Sequence, residues 1–129
     1  MNNLFLVALG GAIGSLVRYG LSNQIAFWIG RQFPWPILAV NVLGCLAAGC
    51  LSQYLLLNEH ISQTVKFHLF LIVGVLGGLT TFSGFALDTF NLIQRGAFFE
   101  AVIYIFLSVI LCLGGGGLGI LIVNWCYHG

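Results

Sequence analysis

Four apolar stretches occupy residues 4–29, 35–57, 67–93 and 97–125. Only the short polar breaks "GRQFP" (30–34), "NEHISQTVK" (58–66) and "QRG" (94–96) separate them. Each stretch reaches the roughly 20 residues that a helix needs to cross the hydrocarbon core of a bilayer. Backbone polar groups find no partners in hydrocarbon, so a chain built this way must close its hydrogen bonds inside helices or a barrel. A membrane barrel would show alternating segments of about ten residues, and the sequence has none. The expectation is an all-α integral membrane protein: one domain over residues 1–129 with four transmembrane helices. Charge agrees. Four Lys/Arg and three Asp/Glu make up 5% of the 129 residues, whereas an ordinary soluble domain is about a quarter charged. A net charge of +1 gives no pull toward nucleic acid. The opening "MNNLFLVALGG" lacks a basic region and a small-residue cleavage site, so it reads as part of the first span.

The loop charges then bear on orientation. Arg31 and Arg95 fall on the side opposite Lys66, and Arg18 lies within the first span. Insertion follows the Lys/Arg bias between the two sides, and here that bias is nearly empty. The expectation is a dual-topology protein that inserts both ways and pairs as an antiparallel homodimer. Four helices also enclose little, which points to any aqueous path running along an interface between subunits.

Polar residues within the spans form stripes. Gly11, Gly14, Ser15 and Arg18 share one face of the first helix, and Gly10 and Gly14 make a G-x-x-x-G suited to close helix packing. Arg18 is costly in a span unless it meets protein, a water-filled cavity or the interface. Asn41, Gly44, Cys45 and Ala48 share a face of the second helix. The Asn41 amide either bonds a neighbouring helix or donates to a permeating anion. Tyr104, Ser108 and Cys112 recur every four residues on the fourth helix, where they either bond locally or line a narrow path. The "GGGG" at 114–117 reads as a packing or flexing surface and not as a phosphate loop.

The third span is the least regular. In "GGLTTFSGF" (77–85), Gly77 and Gly78 weaken the helix, while Thr80, Thr81 and Ser83 have hydroxyls able to satisfy a broken backbone. Irregular backbone at membrane depth survives only where it is buried in protein or lines a cavity. The expectation is a third helix broken mid-membrane, with released carbonyls suited to a hard cation such as Na⁺ or K⁺. Phe82 and Phe85 lie on one side of the helix that follows. The positive edge of a phenyl ring is a contact for a small anion. Asp88 continues that stripe toward the span end.

Other residues carry less. Cys45, Cys50, Cys112 and Cys126 form no C-x-x-C and read as small packing residues. His60, His68 and His128 have no metal-ligand spacing. No nucleophile–base pair, carboxylate pair or cofactor motif points to an enzyme. A small multidrug-type proton-coupled exporter shares the size and weak charge bias. It needs a membrane-embedded carboxylate in the first helix, where this chain has Arg18.

The segments "GGAIGSLVRY" (10–19), "VNVLGCLAAG" (40–49) and "GGLTTFSGF" (77–85) resemble, in order, the three signatures of the CrcB/Fluc fluoride channel family. The resemblance covers the whole chain. It implies an antiparallel dual-topology homodimer in the inner (plasma) membrane, with two pores that let fluoride leave passively down its gradient. It implies a structural, non-transported Na⁺ at the dimer centre, held by the Gly77 and Thr80 carbonyls. It places Asn41, Phe82, Phe85, Ser83, Tyr104 and Ser108 along the fluoride path, and Arg18 at the vestibule. Three positions depart from the family pattern: Gly84 where Thr is usual, Asp88 where Glu is common, and Cys112 where a hydroxyl is expected.

Overall fold

In the computed structural model, residues 2–58 and 64–129 are described. All regular structure among them is helical, and four helices are long and apolar enough to cross a membrane. They are α1 (Asn3–Ile29), α2 (Trp35–Leu57), a composite third span (Val65–Gln94) and a last helix, Phe98–His128. The third span is built from α3 (Thr64–Phe67), a π-helical segment (His68–Leu76), α4 (Gly77–Leu79) and α5 (Phe82–Gln94). The last helix is α6. It runs three residues past the limit expected at residue 125. Residues 59–63 of the "NEHISQTVK" break, with His60, lie outside the described residues.

Each turn has a local cause. The Asn2 side chain accepts from the Leu4 N–H and caps α1. Gly30 ends α1 with φ +90°, and Gly96 turns the chain between α5 and α6 with φ +77°. Those are left-handed conformations that side chains resist. Pro34 precedes α2 and Pro36 sits in its first turn, where the missing N–H would have had no helical partner.

The helices pack as two parallel pairs, α1 with the π segment and α4, and α2 with α6. Glycine makes both seams. A Cβ built on Gly14 would fall on the Val75 carbonyl and 2.8 Å from the Leu79 nitrogen, and one on Gly78 would meet the Gly11 carbonyl at 2.5 Å. The G-x-x-x-G of α1 is therefore a packing surface, Gly10 against Gly74 and Gly14 against Val75 and Leu79, while Gly11 meets Gly78. Across the other seam, Gly115 faces Val42, Gly49 faces Gly116, and Gly119 faces Leu46 and Cys50. Backbones this close gain dispersion contacts that larger residues would prevent. The "GGGG" run thus packs through Gly115 and Gly116, while Gly114 and Gly117 face open space.

A small core of Leu38, Leu92, Ala101 and Tyr104 ties α2, α5 and α6 together at one end. Most other large apolar side chains point outward, as expected where the solvent is lipid.

Candidate functional site

The third span breaks at Thr80 and Thr81, whose backbones are extended (ψ 153° and 114°) between α4 and α5. Gly77 and Gly78, the residues expected to weaken the helix, are themselves still helical. Gly78 serves the seam with α1 instead. The break is placed by Asn41, forty residues away on α2. Its Oδ1 accepts from the Thr81 N–H at 2.8 Å, and its Nδ2 donates to the Thr81 carbonyl at 3.1 Å. One side-chain amide thus takes the place of the helical acceptor of the Thr81 N–H and reinforces the Thr81 carbonyl, which the Phe85 N–H reaches at only 3.5 Å. The interhelical bond open to Asn41 in the sequence is made, and one of its two N–H donors is left for another acceptor.

Hydroxyls complete the repair. Thr80 Oγ1 donates back to the Leu76 carbonyl at 2.9 Å. Thr81 Oγ1 caps α5 by accepting from the Gly84 N–H at 2.9 Å, and it shares a 3.0 Å hydrogen bond with Ser83 Oγ. These diversions have a consequence for the carbonyls. In a continuous helix the Thr81 N–H would serve the Gly77 carbonyl, and the Gly84 N–H would serve the Thr80 carbonyl. Both amides now point elsewhere. Arg18, half-buried on α1, reaches the Thr80 carbonyl from the other side with a long 3.5 Å contact.

Beside the break is a groove of about 370 Å³ between α2, α5 and α6, lined by Asn41, Thr80, Phe82, Phe85 and Ser108, among others. Phe82 and Phe85 are a ring pair with centroids 5.3 Å apart, and Phe85 packs in turn on Tyr104, also at 5.3 Å. Tyr104 is fully buried, and Phe33 meets it edge-on from behind. The Tyr104 and Ser108 hydroxyls are buried and make no hydrogen bond, although Asp88 and each other are close neighbours of the tyrosine. Such orphaned groups are rare in proteins.

Four of the residues expected along the fluoride path, Asn41, Phe82, Phe85 and Ser108, therefore line one groove together with Thr80, and Tyr104 backs it. Ser83 does not line it. Its hydroxyl turns to Thr81. Gly77 and Arg18 belong to the break behind the groove.

A second cavity of about 470 Å³ opens at the membrane end where α1 meets α2 and α5 meets α6. Ser22, Arg31, Asp88, Asn91 and Arg95 help to line it, and Arg18 does not. Arg31 donates to Asn23 Oδ1 at 3.0 Å, and Arg95 donates to the Gln32 carbonyl at 3.1 Å. The two arginines share an end because both follow spans that run the same way. That was legible from the loop order, but their meeting in one cavity was not.

The chain matches the sequence profile of the family described as "CrcB-like protein, Camphor Resistance (CrcB)" over residues 5–120. It is 43% identical over 121 residues to a protein of Coxiella burnetii (strain Dugway 5J108-111), covering 93% of this chain and 96% of that one. It is 43% identical over 120 residues to a protein of Magnetococcus marinus, covering 90% and 93%. It is 40% identical over 121 residues to one of Geobacter sulfurreducens, covering 94% and 96%. Each of these relatives is named a fluoride-specific ion channel, FluC; none is an enzyme. Matches this long, on a four-span fold with a broken third helix, place the chain in the CrcB family.

Proposed function

We propose that this protein is a fluoride-specific channel, and that fluoride passes along the groove between α2, α5 and α6. The observation that carries the reading is the pair of buried, unpaired hydroxyls on Tyr104 and Ser108 beside the Phe82–Phe85 ring pair. A buried donor without an acceptor costs about 1–3 kcal/mol. Here an anion supplies the acceptor. Fluoride is small and strongly hydrated, so a path must replace its water with donors. The second Asn41 N–H, the Ser108 and Tyr104 hydroxyls and the positive ring edges of Phe82 and Phe85 do so without a fixed charge in the narrow part. Ser83 lies one residue from the first ring but outside the groove, and its hydroxyl supports Thr81 there. Conduction needs sites favourable enough to enter and weak enough to leave, which neutral donors provide. The ion moves passively, and in a cell the direction is outward through the plasma membrane.

The same reading makes the working unit an antiparallel, dual-topology homodimer with two paths. Phe82 is 80% exposed in the single chain, and the groove is open where that ring stands. A second copy closes it. A structural Na⁺ at the dimer centre fits the residues at the break. The Gly77 and Thr80 carbonyls are hard oxygen ligands whose helical donors have been diverted to Asn41 and Thr81. A carbonyl has two lone pairs, so the long Arg18 contact leaves the Thr80 oxygen free to bind. The bound ion supplies a fixed positive charge and is not transported.

Efflux from proteoliposomes, read with a fluoride electrode, tests the path. The native protein releases internal fluoride, and Phe82→Ile and Phe85→Ile each cut the rate at least about tenfold, because a donor edge is lost. Native rates in both variants would remove the ring pair from the path.

A further inference from the structure

The groove carries a feature that the fluoride reading does not use. Asn41 and Cys45 are one turn apart on α2, and Ser108 and Cys112 are one turn apart on α6. All four line the groove. The helices run parallel here, and Gly49 lies against Gly116, one turn beyond Cys45 and Cys112 and two turns beyond Asn41 and Ser108. The two pairs therefore form successive rungs. The first holds an amide and a hydroxyl, and the second holds two thiols facing one another across the seam. The Cys45 and Cys112 side chains are close enough to interact directly. Both are free and partly exposed. Gly116, one turn beyond Cys112, lies against the Cys45 carbonyl, where an added Cβ would stand 3.6 Å away. The thiols thus sit on a tightly packed seam that fixes their spacing.

Two thiols on rigid, adjacent helices suit a soft d¹⁰ cation, which takes thiolate ligands in preference to oxygen. We infer that Cys45 and Cys112 form a two-thiol site for a thiophilic cation of the Cu(I), Ag(I) or Hg(II) class, bridging α2 and α6 at the wall of the groove. Binding of Hg²⁺ replaces two S–H bonds by two S–Hg bonds and releases two protons, with no change of oxidation state. Neither of the other cysteines belongs to the site. Cys50 lies against Gly119 further along the seam, and Cys126 is exposed near the end of α6. Where the groove is the fluoride path, as proposed above, the bridged metal sits in it and stops the flux.

The test uses the full chain carrying Cys50→Ser and Cys126→Ser, with HgCl₂ as the probe. The first readout is metal binding alone, by mercury–thiolate ultraviolet absorbance and by counting thiols that still react with a disulfide reagent. One equivalent of Hg²⁺ protects both remaining thiols. Adding Cys45→Ser or Cys112→Ser weakens binding about 100-fold or more, because the second ligand no longer acts at high effective concentration. Helical circular dichroism and gel filtration confirm that the serine variants remain folded. Two equivalents needed for two thiols, or no free thiols before metal is added, would overturn the site. The second readout is fluoride efflux. Stoichiometric Hg²⁺ stops it in the double variant and spares the triple variants. Bridged binding with undiminished efflux would leave the metal site standing and overturn the placement of the fluoride path in this groove.

Discussion

Asn41 does more than offer a donor. It holds both backbone groups of Thr81, so the break in the third span depends on a residue of the second. Asn41→Ala leaves the part-buried Thr81 N–H without its partner and the Thr81 carbonyl with only the long Phe85 N–H contact. Each lost partner costs about 1–3 kcal/mol, and thermal unfolding in detergent is expected to show a marked fall in stability together with loss of fluoride flux. Stability equal to the native protein would mean that Thr81 does not need the clamp. Gly84, which departs from the family pattern, has a local explanation. A Cβ there would stand 2.8 Å from the Thr81 methyl, and that threonine is held in place as the cap of α5. Replacing an exposed helical Gly by Ala ordinarily gains about 1 kcal/mol. Gly84→Ala is expected to forfeit that gain, because turning Thr81 away costs a cap worth about 1 kcal/mol. A clear rise in melting temperature would contradict this.

The helices show what the sequence could reveal and what it could not. Apolar length alone located the spans, and the short polar breaks located the turns between them. The third span was legible as broken because glycines and hydroxyl residues cluster in it. The site of the break was not. Local propensity favoured Gly77 and Gly78, but a side chain forty residues away pulls it to Thr80 and Thr81. In the same way, "GGGG" was legible as a packing or flexing surface, but only the register of α6 on α2 separates the glycines that touch from those that do not. This makes a paired prediction. Gly119→Val pushes a side chain into the Leu46 carbonyl and the Cys50 nitrogen, at a cost of about 3 kcal/mol or more, and little folded protein is recovered. Gly117→Ala has open space around its Cβ and leaves recovery and melting temperature at least at native values. Equal sensitivity at both positions would show that the seam is not formed by this face. Cys45 and Cys112 carry the same lesson. They are 67 positions apart in the chain, and only parallel packing makes them neighbours.

On the scale of the whole molecule, the single chain buries little of itself. The most apolar windows of the third and fourth spans are each 11% buried. Lipid covers most of such a surface, and on the proposed reading a second copy covers the open groove beside Phe82. If that copy is inverted, a compartment-specific reporter on the C-terminus gives signal from both sides of the membrane, and signal from one side only would exclude dual topology. If the Gly77 and Thr80 carbonyls hold Na⁺ between subunits, exchange into a bulky organic cation lowers activity slowly, as a buried ion escapes. Full activity after exhaustive exchange would remove Na⁺ from the account. The central claim is that neutral donors in this groove carry fluoride and refuse larger halides. Parallel efflux of fluoride and chloride from the same proteoliposomes addresses it most directly. The account predicts rapid fluoride release with chloride retained; absence of fluoride release, or release of both ions at similar rates, would contradict it.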